Sequence, residues 1–145
     1  MKKVIGVLML TALAWQSQAQ NWLTDIDMAK QIAEDENKKI VLVFAGSDWC
    51  GPCIKLERSI WESEKFKNYA AENYVLVKAD FPRKKANKLP KELQAHNDAL
   101  AERYNQNGYF PLVLILDFAG KVHGTTGYKN ITPGEYIELL NSFKS

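Results

Sequence analysis

Residues 40–53, IVLVFAGSDWCGPC, join a continuous apolar run to both cysteines of the chain. The run from Ile40 to Ala45 is rich in β-branched side chains, and this composition predicts a strand buried on both faces of a sheet. Pro52 fits the first turn of a helix, because its fixed φ suits that position and its missing N–H is not needed there. The stretch therefore places Cys50 and Cys53 where a buried strand gives way to a helix.

The flanking sequence predicts alternating helices and strands around this stretch. Before the apolar run, the sequence predicts a helix capped by Asp25 or Asp27 and running to about Asn37. After the first cysteine it predicts a helix from Pro52 to Trp61, a helix capped by Ser63, a strand in NYVLVKADF (73–81) and a helix from Pro90 closed by Gly108. The last part predicts a strand pair in 111–128 with a turn at Ala119–Gly120, and a final helix in 132–143. The order αβαβαββα predicts a mixed α/β sandwich.

The first 19 residues have the composition of an export signal. Lys2 and Lys3 precede an apolar stretch from Val4 to Trp15, which Ser17-Gln18-Ala19 follows. This pattern predicts a signal peptide, residues 1–19, cleaved near Ala19–Gln20. Because the apolar stretch is shorter than the roughly 20 residues that span a bilayer, we expect no membrane anchor. A periplasmic or secreted protein is expected, with residues 20–145 forming one domain, as a monomer.

The charge balance argues against nucleic-acid and membrane partners. The chain has 19 Lys and Arg against 17 Asp and Glu, so loss of Lys2 and Lys3 with the leader brings the net charge near zero. A protein without a basic excess lacks the electrostatic footprint of nucleic-acid binding. One local exception is a basic stretch that precedes Glu92. It is interpreted either as a solvated loop or as a docking surface for a partner, and its cations are Arg83, Lys84, Lys85, Lys88 and Lys91.

Three of four interpretations of the cysteine pair are weak. Cross-linking a four-residue loop stabilises a fold by about 2 kcal/mol, against about 4.7 kcal/mol for a hundred-residue loop. A structural zinc ion needs four ligands, and His96 and His123 stand far from the cysteines and from each other in the sequence. Covalent haem needs a histidine directly after the second cysteine, where Ile54 stands. A redox couple remains, with no metal expected.

The predicted helix start gives the two cysteines different roles. The unsatisfied N–H groups and the positive end of the helix dipole favour the thiolate of Cys50, which is therefore expected to be the exposed nucleophile. Cys53 lies one helical turn later, where its thiol can attack a mixed disulfide formed by Cys50. The disulfide between the two cysteines is then the redox-active group, and no separate cofactor is expected.

At Trp49-Cys50-Gly51-Pro52-Cys53 the chain resembles thioredoxin, and the resemblance extends over residues 40–143. It implies a thioredoxin fold, that is, an α/β fold with a mixed central sheet flanked by helices. The signal peptide, the extra N-terminal helix and the insertion before the family's cis-proline make the chain similar to exported bacterial members. Two departures are visible: the loop 108–112 has one extra residue and no threonine, and Arg58 replaces the proline that kinks the active-site helix.

The resemblance also implies which residues contact the substrate. The cis-proline corresponds to Pro111, and the glycine of the last edge strand corresponds to Gly127. Trp49 is expected to form a wall beside Cys50. The substrate-contacting set implied in this way is Trp49, Gly51, Pro52, Phe110, Pro111 and Gly127.

Thioredoxins keep a buried acid six residues before the first cysteine, and here that position is Phe44. Another group must therefore take the proton of Cys53. Glu57 lies four residues after Cys53, on the same helical face, and Lys78 stands where the family has a lysine near its acid. We predict a Glu57–Lys78 pair that supports proton transfer. The competing interpretation is a solvated glutamate on the helix exterior.

These features predict an enzyme, an exported thiol-disulfide oxidoreductase that reduces protein disulfides. Gly-Pro between the cysteines implies a reducing potential in this family, and a reductase needs an electron donor such as a membrane reductase. A disulfide oxidant or isomerase remains an alternative, because each 30 mV of potential corresponds to about 1.4 kcal/mol. The alternative from another class is a non-catalytic binding module for unfolded chains.

Overall fold

The computed structural model describes residues 20–143. The predicted leader and its cleavage site at Ala19 lie outside the described residues, as do residues 144 and 145. Five strands form one mixed sheet in the described part. They are β1 (Trp22–Leu23), β2 (Lys39–Ala45), β3 (Tyr74–Asp80), β4 (Leu112–Leu116) and β5 (Val122–Thr126).

The strand order is β1-β3-β2-β4-β5. Strand β3 pairs in parallel with both β1 and β2, whereas β4 pairs antiparallel with β2 and β5. The predicted mixed central sheet flanked by helices is therefore confirmed. Strands β2 and β3 run in the same direction, and β4 runs in the opposite direction. The carboxyl ends of β2 and β3 therefore lie at the same end of the sheet as the first residues of β4.

The helices begin and end at the residue types that the sequence indicated. They are α1 (Ile26–Glu36), α2 (Gly51–Leu56), α3 (Glu64–Asn73), α4 (Lys91–Tyr104) and α5 (Pro133–Ser142). Asp25 caps α1 by accepting the N–H groups of Asp27 and Met28, and Ser63 caps α3 by accepting that of Phe66. In α5, Thr132 and Glu135 form a reciprocal capping box.

Strand β2 divides the interior into two cores, because successive side chains of a strand point to opposite faces. Val41, Val43 and Ala45 pack on the side that carries both cysteines, α2, α3 and α5. Ile40, Leu42 and Phe44 pack on the opposite side against α1, Leu100 and residues of β3 and β4. The six β2 residues from Ile40 to Ala45 are all buried, as predicted from their continuous apolar character.

Three local features differ from the sequence-based expectation. Strand β1 was not predicted, because two residues are too few to show a period of two. The active-site helix continues beyond Leu56 as a π-helical segment over Glu57–Trp61. Helix α4 ends before Gly108, because the Asn105 side chain bonds both the N–H and the carbonyl of Tyr109 and turns the chain out of the helix. Within residues 20–143 we find no helix long and apolar enough to cross a bilayer.

Candidate active site

Cys50 and Cys53 form a disulfide at the start of α2. Cys50 is the N-cap residue, and its Sγ accepts the backbone N–H of Cys53 at 3.2 Å. The Sγ of Cys53 accepts the N–H of Gly46 at 3.5 Å. A sulfur at a helix N-terminus is stabilised as thiolate by such donors and by the helix dipole. Of the two sulfurs, that of Cys50 therefore occupies the position that favours a nucleophile.

Exposure does not separate the two cysteines, contrary to expectation. Cys50 is 4% exposed and Cys53 is 6% exposed. Both sulfurs are joined to each other, and both residues pack against the core that includes Val43 and Ala45. Because the disulfide form covers both sulfurs, the assignment of their roles depends on the helix start and not on accessibility.

Trp49 is fixed beside Cys50 by a hydrogen bond and by aromatic contacts. Its indole Nε1 donates to the carbonyl oxygen of Phe81 at 2.7 Å. The Trp49 ring meets the edge of Phe110 at a centroid distance of 5.4 Å, and Phe110 in turn lies 5.5 Å from Phe81. The indole is therefore held as a rigid wall, which fits the expected substrate contact.

Gly46 makes this position of Trp49 possible. A Cβ added at Gly46 would overlap the indole ring, whereas a Cβ added at Gly51 would meet no atom within 4 Å. We expect Gly46→Ala to lower the free energy of unfolding by about 1–3 kcal/mol, the usual cost of overpacking. Gly51→Ala is the matched control and should change it by less than about 1 kcal/mol. Urea unfolding of the oxidised proteins measures both, and equal values would contradict the tight contact.

The loop after α4 brings the remaining substrate-contacting candidates to the same edge of the sheet. The peptide bond between Phe110 and Pro111 is cis. Gly127 follows β5, and a Cβ there would lie 3.2 Å from the Pro111 carbonyl oxygen, so the two residues are close neighbours. The hydroxyl of the buried Tyr136 donates to the Gly127 carbonyl and fixes that segment. Gly51 and Pro52 are exposed in the first turn of α2, where a substrate can reach them.

Glu57, the residue that follows α2, forms an ion pair with Lys78 of β3. Lys78 Nζ lies 2.6 Å from Glu57 Oε2, and the side chains are 22% and 36% exposed, respectively. Both residues line a cavity of about 200 Å³ that Cys53 also lines. A cavity of this size has room for water, and the Glu57 and Lys78 side chains offer it polar partners. The glutamate is thus neither fully solvated nor remote from the sulfur.

Trp22, the first residue of β1, also contacts Lys78. Lys78 Nζ lies 4.6 Å from the centroid of the Trp22 ring, in cation–π geometry. The Trp22 ring meets Trp61 edge-on at a centroid distance of 5.6 Å. Because β1 is so short, no sequence pattern indicated that it would bring an aromatic ring to this lysine.

Phe44, six residues before Cys50, does not face the cysteines. Its side chain lies in the core on the face away from the cysteines. The residue of β2 that pairs with Lys78 and lies on the cysteine side is Val43. This corrects the position by one residue, because the face on which a β2 side chain lies alternates. The chemical conclusion is unchanged, since valine cannot accept a proton either.

The π-helical segment begins at Glu57 and includes Arg58, the residue found where thioredoxin has a proline. Irregular turns of this kind re-aim the side chains of a helix and are frequent at functional sites. The Glu57 carboxylate lies beside Lys78 at the first residue of this segment. No sequence pattern indicated the π-helical turn, because the apolar positions of this segment fit an α-helix equally well.

Both histidines lie in other surroundings. His96 Nε2 accepts the N–H of Ile26, and His123 Nε2 lies 3.0 Å from the Asp117 carboxylate. This contact with His123, helped by the N–H of Lys121, keeps the pKa of Asp117 below its ordinary value. Among residues 20–143 no three metal-ligating side chains come together.

Comparisons with known proteins agree with this geometry. A family model described as Thioredoxin-like matches residues 21–117. A protein of Chlamydia pneumoniae named disulfide bond reductase DsbH is 32% identical over 130 residues, which cover 90% of this chain and 72% of that protein. A solved structure of a DsbH oxidoreductase is 28% identical, with a TM-score of 0.81 and coverage of 96% of this chain and 94% of that one.

A more distant solved structure shows the same fold. A disulphide isomerase from Xylella fastidiosa Temecula1 is 20% identical, with a TM-score of 0.61. The alignment covers 93% of this chain and 99% of the isomerase. The match concerns the arrangement of strands and helices alone.

Proposed function

Because this chain belongs to the thioredoxin-like family and is a thiol-disulfide oxidoreductase, we propose that it reduces the disulfides of exported proteins. The observation that carries the proposal is the Cys50–Cys53 disulfide at the start of a helix that follows a buried strand. A relative at 32% identity is named a disulfide bond reductase, which supports this direction of electron flow. The Gly-Pro pair between the cysteines supports it as well.

In the first step the Cys50 thiolate attacks one sulfur of a substrate disulfide. A Cys50–substrate disulfide forms, the substrate S–S bond breaks, and the departing substrate thiolate takes a proton from solvent. The reduced enzyme needs the Cys50 thiolate, and the donors at the start of α2 supply its stabilisation. Cys50 is therefore the proposed nucleophile.

In the second step Cys53 resolves the mixed disulfide. Its thiol loses a proton through the cavity to Glu57, and the resulting thiolate attacks Cys50 Sγ. The Cys50–Cys53 disulfide forms and the second substrate thiolate leaves, so two electrons have passed to the substrate. Lys78 holds the carboxylate of Glu57 in place, which makes it a positioning residue.

The substrate chain is proposed to lie across the edge of the sheet where β4 begins. Trp49 and Phe110 form an aromatic wall there, and Gly127 leaves room beside the Pro111 carbonyl for an extended backbone. Gly51 and Pro52 offer an exposed surface next to the attacking sulfur. These six residues are the proposed substrate-contacting set.

Turnover requires a donor that returns two electrons to the Cys50–Cys53 disulfide, and we assign this role to a membrane reductase. In the assay that tests this function, dithiothreitol replaces the membrane reductase as the electron donor. The mature protein, residues 20–145, is expected to accelerate reduction of a disulfide-bonded protein by dithiothreitol. The same preparation should not accelerate oxidation of a reduced, unfolded protein. Oxidation without reduction would favour the oxidant, rearrangement of wrong disulfides would favour the isomerase, and binding without either would favour the non-catalytic module.

The proposal that the protein is exported depends on the signal peptide predicted in residues 1–19, and we propose cleavage between Ala19 and Gln20. The mass of the protein purified from envelope fractions should correspond to a chain that starts at Gln20. A product that retains Met1 in the cytosol, or one that stays with the membranes, would contradict this proposal.

A further inference from the structure

A stretch of unpaired positive charge lies directly beside the proposed substrate site. This basic segment, residues 83–91, connects β3 to α4 and carries five cations on exposed residues. None of the five forms an ion pair with a carboxylate of residues 20–143. The cations are Arg83, Lys84, Lys85, Lys88 and Lys91.

Asp48 holds the basic segment next to the cysteines. Its carboxylate accepts the backbone N–H of Arg83 at 2.9 Å and that of Lys84 at 3.0 Å, and the side-chain amide of Asn87 at 2.9 Å. The bond from Arg83 contributes most to keeping the pKa of Asp48 below its ordinary value, followed by the bond from Asn87. Asp48 therefore stays charged near neutral pH, and its oxygens bind backbone and amide groups. A single residue, Trp49, separates this anchor from the nucleophile Cys50.

Arg83 brings the first of these cations onto the wall of the site. Its guanidinium carbon lies 3.6 Å from the centroid of the Trp49 ring, which is close cation–π geometry. Arg83 and Trp49 also share a groove of about 360 Å³ with aromatic and small residues. The other residues that line this groove are Phe81, Pro82, Gln94, Gly108 and Phe110.

From this arrangement we propose that the basic segment is a docking surface for an acidic stretch of the protein whose disulfide is reduced. The proposal rests on the proposed function and adds the chemistry by which substrates are selected. The residues beside the target disulfide lie in the groove against Trp49, and their carboxylates meet Arg83, Lys84 and Lys85. Complementary charge of this kind mainly raises the rate of association and disfavours basic substrates.

The near-neutral charge of the mature chain favours this occupant over a nucleic acid. A polyanion is bound by a broad basic surface, whereas here the run of five cations without an acidic residue is confined to nine residues beside a reactive sulfur pair. A short acidic peptide segment matches that extent. Its carboxylates would supply the partners that these cations lack within the described residues.

The test uses two synthetic peptides with the same intramolecular disulfide loop and different flanks. One carries Asp and Glu on both sides of the loop, and the other carries Asn and Gln at the same positions. The second-order rate constant for oxidation of the fully reduced mature protein by each peptide is measured by stopped flow. We expect the acidic peptide to react at least about ten-fold faster at about 10 mM salt. The preference should vanish at about 1 M salt, where the Debye length falls from about 30 Å to about 3 Å.

Two matched double variants locate the effect. Lys84→Gln with Lys85→Gln removes two charges from the basic segment. Lys30→Gln with Lys121→Gln removes two charges at the turn between β4 and β5, where Lys30 lies against Gly120. The first pair should cut the ratio of acidic to neutral rate constants several-fold, and the second should leave that ratio unchanged.

Each other outcome overturns the proposal. Equal rates for the two peptides at low salt would remove the docking surface and leave the reductase function intact. A ratio lowered equally by both double variants would mean that the field of the whole protein acts, and not the basic segment. If neither peptide oxidises the protein, the proposed function fails, and the docking proposal fails with it.

Discussion

Replacing Cys53 with serine is expected to convert the protein into a trap for its substrates. Cys50 keeps its place at the start of α2 and can still attack, but no thiolate is left to break the mixed disulfide. Substrates should therefore accumulate as covalent complexes, while multiple turnover falls to the rate of the uncatalysed dithiol reaction. Gel electrophoresis without reductant, followed by mass analysis of the linked peptides, detects these complexes.

The matched variant is Cys50→Ser, which should capture no substrate and should also lose turnover. Alkylation of the reduced wild-type protein at controlled pH gives an independent reading, because the thiolate reacts and the thiol does not. Cys50 should be labelled first. Equal labelling, or complexes formed by Cys50→Ser through Cys53, would reverse the assignment of the two cysteines.

Replacing Glu57 with glutamine is expected to slow the resolving step by a factor on the order of 10²–10⁴, the usual contribution of a positioned general base. Glutamine keeps the shape of the side chain but cannot take a proton from Cys53. The measurement starts from a preformed mixed disulfide between Cys50 and a small thiol, and follows its release in a single turnover. In the variant the rate should rise steeply with pH, since the Cys53 thiolate must then form without help.

Two controls separate this role from a structural one. Glu72→Gln removes an exposed carboxylate from the last turn of α3 and should leave both the rate and the pH profile unchanged. Lys78→Gln leaves the Glu57 carboxylate without its partner at 2.6 Å, so it should slow resolution less than Glu57→Gln does. If Glu57→Gln resolves at the wild-type rate with the wild-type pH profile, Glu57 is a surface residue and another group takes the proton.

Four of the five strands of the described residues, β2 to β5, and the cysteine site could be predicted because their signals are local. The run from Ile40 to Ala45 is apolar at every position, and its short length and β-branched residues are typical of a strand covered on both faces. Pro52 and the cysteine spacing then place the helix start at Cys50. The Glu57–Lys78 pair was predicted from helical spacing for Glu57 and from the resemblance to thioredoxin for Lys78, and the structure brings these two side chains together.

The features that were missed depend on contacts between distant parts of the chain. Asp48 meets Arg83 across 35 residues of sequence, and nothing in either local pattern indicates that bond. Trp22 reaches Lys78 only because β1 joins the sheet edge beside β3. The one-residue error at Phe44 has a different origin. Counting back from a cysteine does not show which face of β2 a side chain will occupy, whereas the pairing of Val43 with Lys78 does.

The reduction potential of the Cys50–Cys53 couple is the most direct test of the proposal that the protein is a reductase. The mature protein is equilibrated with redox buffers of known potential, and the fraction in the disulfide form is counted after the thiols are alkylated. We expect a potential near that of thioredoxin, about −270 mV, at which the dithiol form is a strong donor. A value at or above about −180 mV, the potential of protein disulfide isomerase, would contradict the proposal and assign the chain to oxidation or isomerisation.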